Sequence, residues 1–124
     1  MDYRIELIGI PVSDVDKAKA FYADQVGFHV DHDHQVNENL RFVQLTPPGS
    51  ACSICFGTGI VDDLPVGSVK SVTLVVDDAD AAHDELASRG VPVSPVDEKP
   101  WGRFVFFSDP DGNTFALQQL VPQG

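Results

Sequence analysis

Positive charge is what this sequence has least of. Eight Lys and Arg stand against nineteen Asp and Glu, a formal net charge of −11. Nucleic-acid binding needs clustered cations to meet phosphates, so that class is disfavoured, as is docking on an anionic membrane. A cationic small ligand, by contrast, would be attracted. Long apolar runs are also missing: no stretch approaches the roughly 20 residues that cross a bilayer as a helix. The opening MDYRIELIGI carries Asp2 and Glu6 and lacks a basic segment leading into an apolar one, so it does not read as a signal peptide. A cytoplasmic protein is expected. Cysteine is scarce too, with only Cys52 and Cys55, in CSIC. The stretch reads as a strand, where residues three apart point to opposite faces, so a disulfide would be strained. A zinc site would need a second pair of ligands. Buried, inert thiols are expected.

What is present suffices for one domain. The chain has 124 residues, 43% hydrophobic and 22% charged, enough for a real core and unlike a disordered segment. Three of the four histidines fall within Phe28-His29-Val30-Asp31-His32-Asp33-His34. The stretch invites a metal reading. Strand alternation puts His32 and His34 on one face and His29, Asp31 and Asp33 on the other, so a third ligand must come from elsewhere. The expectation is a polar, partly exposed hairpin. His83, among Asp80, Asp84 and Glu85, reads as solvated.

Periodicity gives a strand over 4–12, then a helix with Ser13 as N-cap, Asp16 completing a capping box, and Gly27 at its end. Within it Phe21 reads as core and Tyr22 as reaching toward a cleft rim. Strands follow over 29–34, 39–45 and 51–56, then a loop over 58–68. The order then repeats: strand 69–76, helix 77–89 closed by Gly90, short strand 91–96, strand 103–107, the Asp109-Pro110-Asp111-Gly112 turn and strand 114–120. Val12-Ser13-Asp14-Val15-Asp16-Lys17-Ala18 recurs as Val76-Asp77-Asp78-Ala79-Asp80-Ala81-Ala82, an offset of 64 (76 − 12). Thr46-Pro47-Pro48-Gly49 recurs as Asp109-Pro110-Asp111-Gly112, an offset of 63 (109 − 46). The reading is α+β: two tandem βαβββ modules, 1–57 and 69–124, joined by the loop 58–68 in a single domain 1–124. Each half leaves one sheet face apolar, so two halves must pair, and curved mixed sheets would enclose a cleft.

The two modules, the opening ELIGIPVSDVDKAKAFYADQVGF and the closing PWGRFVFFSDPDGNTFALQQL resemble the vicinal oxygen chelate superfamily, which holds glyoxalase I, extradiol dioxygenases, fosfomycin-resistance enzymes and bleomycin-binding proteins. The resemblance implies this fold and leaves function open, because one fold hosts many sites. Its metal-dependent members take ligands from the first and last strands of each module. On that pattern the four positions are Leu7, Ser71, Ala116 and, by the repeat, Ser53. None is a good ligand for a divalent metal. The chain is therefore expected to fall with the metal-free, antibiotic-sequestering branch, with no metal, no cofactor and no catalytic residue.

The expected function is binding of a hydrophobic or aromatic natural product or antibiotic in the cleft of a homodimer, without nucleic-acid or membrane partners. The runner-up is a lyase or isomerase of the same superfamily acting on a small molecule; a fold-only interaction module is a third reading. Expected ligand contacts are Trp101, the only tryptophan, with Arg103, Phe107, Phe42, Phe56, Ser53, Ser71, Gln118 and Leu7. Arg103 cannot be buried unpaired, so its face of the strand, shared with Phe107, is expected to line the cleft.

Overall fold

The computed structural model describes residues 1–122. The chain forms two four-stranded mixed sheets. The first has β1 (Leu7–Gly9), β2 (His29–Asn37), β3 (Leu40–Thr46) and β4 (Ser53–Thr58) in the order β1-β4-β3-β2. The second has β5 (Val72–Val75), β6 (Asp97–Lys99), β7 (Gly102–Ser108) and β8 (Thr114–Leu120) in the order β5-β8-β7-β6. In each sheet the first strand pairs parallel with the last, and every other pair is antiparallel. A helical crossover makes this possible: α1 (Val15–Ala20) and α2 (Ala79–Ser88) each return the chain to the same end of its sheet. Among the described residues no helix is long and apolar enough to cross a membrane.

Both helices start on aspartate. Asp14, not Ser13, caps α1 by accepting the Lys17 N–H at 3.1 Å, and Asp78 caps α2 through Asp80 and Ala81. Ser13 is drawn away because its hydroxyl and N–H both donate to Asp111, at 2.5 and 3.0 Å. α1 runs on into a π-helical segment, Phe21–Val26, which stops at Gly27 with φ 93°. The strand expected over 91–96 does not form. Pro92 and Pro95 have no N–H to give a ladder, and Val93 makes only a single bridge to Phe107.

One hydrophobic core serves both sheets. Phe21 and Tyr22 lie between Val43, Leu45, Ile54 and Phe56 of the first sheet and Val105, Phe107, Phe115 and Leu117 of the second. Phe107 and Phe115 stack with ring centroids 5.2 Å apart. Tyr22 is fully buried, so it does not reach a cleft rim. Its hydroxyl donates to Asp109 at 2.7 Å, and Asn113 bridges Asp109 (2.8 Å) to the Pro11 carbonyl (2.9 Å). Burial, with the Asp109 charge added, pushes the Tyr22 phenol well above its ordinary range. This latch joins the first helix to the turn before β8. The shared core takes one face of each sheet and leaves the other face to whatever else can cover it.

Candidate functional site

On the first sheet the uncovered face is polar. Register places Leu7 beside Ser53, Gln44 beside Cys55, and Phe42 beside Gly57. Strand alternation fails in β2, because a bulge between Val30 and His32 inserts Asp31. Asp31 Oδ2 accepts from the hydroxyl of Thr46 and from Gln44 Nε2 (3.3 Å), so it lies on the open face with His29, His32 and His34. The Thr46 hydroxyl also meets that of Ser53 at 2.6 Å. The His32 and His34 rings stack, centroids 5.8 Å apart. Asp33 points the other way, into Lys19 (2.8 Å) and Arg41 (3.0 and 2.9 Å). Hydrogen bonds from Arg41, then Lys19, hold its carboxyl well below the usual carboxylate range.

The middle of this face is capped from within. A Cβ on Gly9 would lie 3.2 Å from Val61, and one on Gly57 would lie 2.9 Å from Ile60. Gly9 thus makes room for Val61 of the inter-sheet loop, Gly57 is required first of all by the Arg41 carbonyl packed against it, and Cys55 on the same face is buried. Burial pushes the Cys55 thiol up, toward its neutral form.

On the second sheet the uncovered face is aromatic. Phe104 and Phe106 stack with centroids 6.1 Å apart and planes within 9°. Register sets them opposite Gln118 and Ala116. Trp101, 62% exposed, stands in the turn before β7, where its carbonyl accepts Gln118 Nε2 at 3.1 Å. Val75 and Leu120, both exposed, extend the apolar surface.

These placements revise several expectations. Arg103 and Phe107 do not line an open face. Arg103 forks onto Asp80 of α2 and onto Glu98, and Phe107 is 2% exposed in the core. Asp80 of α2 and Glu98 of β6 supply the partners Arg103 needs, and the face holding Phe104 and Phe106 is the open one. Phe56 is also core, its ring 5.8 Å from that of Tyr22. Asp31 lies with His32 and His34, and Asp33 apart from them. Sequence reasoning set Phe104 and Phe106 on the wrong side and missed Asp31, because no residue signal announces a bulge. Ser71 stands exposed just before β5.

The repeat also shifts. Hydroxyls pair across the start of each last hairpin, Thr46 with Ser53 and Ser108 with Thr114 (3.0 Å). Ser53 therefore corresponds to Thr114, and the mate of Ala116 is Cys55, because the β3–β4 turn is one residue longer than the β7–β8 turn. The four positions where the related metal sites draw ligands thus hold Leu7, Cys55, Ser71 and Ala116. Only Cys55 carries a soft donor, and burial favours its protonated form, so this set does not fit a divalent metal. Among the described residues no three His, Cys, Asp or Glu side chains converge as a metal site.

A separate apolar cavity of about 410 Å³ lies on the core side, bordered by Phe28, Pro47, Leu74, Leu86 and Phe107. Arg89 and Glu85 border it as well but bond each other at 2.6 Å.

The sequence profile of the Glyoxalase/Bleomycin resistance protein/Dioxygenase superfamily matches residues 4–117. The structure is similar to TnmS3, an antibiotic binding protein from Streptomyces sp. CB03234, with TM-score 0.86 and 38% identity over 97% of this chain and 98% of that one. It is also similar to a glyoxalase/bleomycin resistance protein from the same Streptomyces, with TM-score 0.81 and 40% identity over 94% of this chain and all (100%) of that one. The Bacillus subtilis (strain 168) protein YetH is 25% identical over 117 residues, 94% of this chain and 98% of its own length.

Proposed function

The chain belongs to the Glyoxalase/Bleomycin resistance protein/Dioxygenase superfamily, and from that premise we propose that it binds an aromatic or hydrophobic small molecule, such as an antibiotic, without a metal. The observation that carries the reading is the parallel stack of Phe104 and Phe106 on an open sheet face beside the exposed Trp101. Flat rings left outside a core are a platform for another flat ring. The antibiotic-binding TnmS3, similar over nearly the whole chain, supports the same class of ligand.

One copy leaves two faces uncovered, one polar and one aromatic. A homodimer that sets the first-sheet face of one copy against the second-sheet face of the other covers both and encloses the ligand between unlike walls. Titration of planar aromatic antibiotics against the emission of Trp101 tests the binding, with mass analysis of the recovered ligand. Saturable quenching with the ligand returned unchanged supports the reading, and conversion of the ligand overturns it. Sedimentation of the purified chain as a monomer at the working concentration removes the dimer cleft.

A further inference from the structure

We infer that Asp31 is the residue that selects for charge in this ligand, and that the preferred ligand is an aromatic carrying a protonated nitrogen. The inference rests on the aromatic-binding reading and on the homodimer that sets the face of Asp31 against the partner copy's aromatic face, and adds to them a specific acceptor. A carboxylate has about four acceptor sites on two oxygens. At Asp31 the Oδ2 side is taken, by the Thr46 hydroxyl and by Gln44 Nε2. Among the described residues Oδ1 has no hydrogen bond; the nearest basic group is His29 Nε2 at 3.8 Å. Among the described residues no Lys or Arg reaches either oxygen.

Asp33, two positions on, shows what this strand does when a carboxylate is meant to be neutralised. Both its oxygens are held by Arg41 and one also by Lys19. The bulge at Asp31 sends the neighbouring carboxylate to the opposite face, where every cation of that cluster is out of reach. Thr46 and Gln44 fix its direction without cancelling its charge. Its side chain is 23% exposed, a partly dry setting where a charge-assisted hydrogen bond outweighs one made in open water. With a net charge of −11, the long-range field also draws a cation toward the chain.

The test uses the full chain and a matched pair of planar probes, 9-aminoacridine, a cation at neutral pH, and acridine, its neutral parent. Binding is read by Trp101 quenching and by calorimetry. The wild type should bind the cation about tenfold more tightly than the neutral ring. Asp31→Asn should bring that ratio near one while leaving acridine affinity unchanged. Asp63→Asn, an equal charge change in the exposed loop, should keep the preference. Equal affinities in the wild type overturn the assignment to Asp31 and leave the aromatic platform standing. Loss of both probes in Asp31→Asn, with an unchanged melting temperature, also overturns it, because the residue then shapes the face and does not read charge. Failure of both probes to bind wild type overturns the aromatic reading together with this one.

Discussion

Arg103 of β7 lays its guanidinium across both carboxylate oxygens of Asp80, in the first turn of α2, at 2.8 and 3.2 Å. The first half of the chain repeats the contact: Arg41 of β3 reaches Asp16, in the first turn of α1, at 2.7 Å. In each half a strand arginine is tied to the helix that crosses its sheet. Each arginine shares the strand face that burial turns to the core, with Val105 and Phe107 in the second sheet, and Phe104 and Phe106 take the other face.

Replacing Arg103 with Ala should therefore lower the melting temperature only slightly and leave ligand affinity unchanged. The pair is solvent-exposed, and exposed ion pairs contribute little. A large loss of affinity at unchanged stability would return Arg103 to the binding face.

Much of the fold was legible. Val12-Ser13-Asp14 against Val76-Asp77-Asp78 revealed the repeat, and alternation in Asn39–Leu45 separated Val43 and Leu45 from Phe42 and Gln44. The candidate site was less so, for three physical reasons. A bulge at Asp31 puts His32 and His34 on the face of His29 and leaves Asp33 on the other. A turn one residue longer in the first half moves the mate of Ala116 from Ser53 to Cys55. The partners that let Arg103 leave the cleft, Asp80 and Glu98, lie 23 and five residues away in the chain, and only the fold brings them to it.

Acid should weaken the β2–α1 tie. The folded carboxyl of Asp33 titrates below its unfolded value, so its contribution is present above about pH 4 and is lost as pH falls toward the folded value. Melting temperatures of wild type and Asp33→Asn should differ by a constant amount from pH 6 to 8, and the gap should narrow progressively as pH falls below about 4. A gap that persists in acid would mean that Asp33 acts through packing.

Tyr22→Phe should cost about 1–3 kcal/mol of stability, because the buried Asp109 then loses one of its donors. The Asp111 and Asn113 N–H groups, both on Asp109 Oδ1, limit the damage. Chemical denaturation measures it, and binding of aromatic probes should be unchanged, since Tyr22 lies in the core.

Nickel, zinc, iron or manganese offered to the chain and then dialysed away should leave well under one metal per chain. Leu7, Ser71 and Ala116 offer no side-chain donor of the needed kind, and Cys55 is buried, which raises its thiol toward the neutral form. Retention near one per chain by elemental analysis would contradict this. Repeating the measurement on His32→Ala would then show whether the stacked histidines hold the ion.

The aromatic shelf makes the sharpest demand. Phe106 is 38% exposed and packs on the open side of β7, so truncating it leaves the core intact. Phe106→Ala should leave the melting temperature within about 1 °C, as surface changes away from the core usually do, while weakening an aromatic ligand about fivefold, the worth of one ring contact of about 1 kcal/mol. Phe104→Ala should act alike. The double variant should lose less than the product of the two if the ligand lies over only one ring, and about that product if it spans both. Phe107→Ala is the contrast: one strand position away but buried against Phe115, it should unfold the protein more readily before any binding effect can be read. If Phe106→Ala and Phe104→Ala both bind as wild type does, the ligand does not lie on this face.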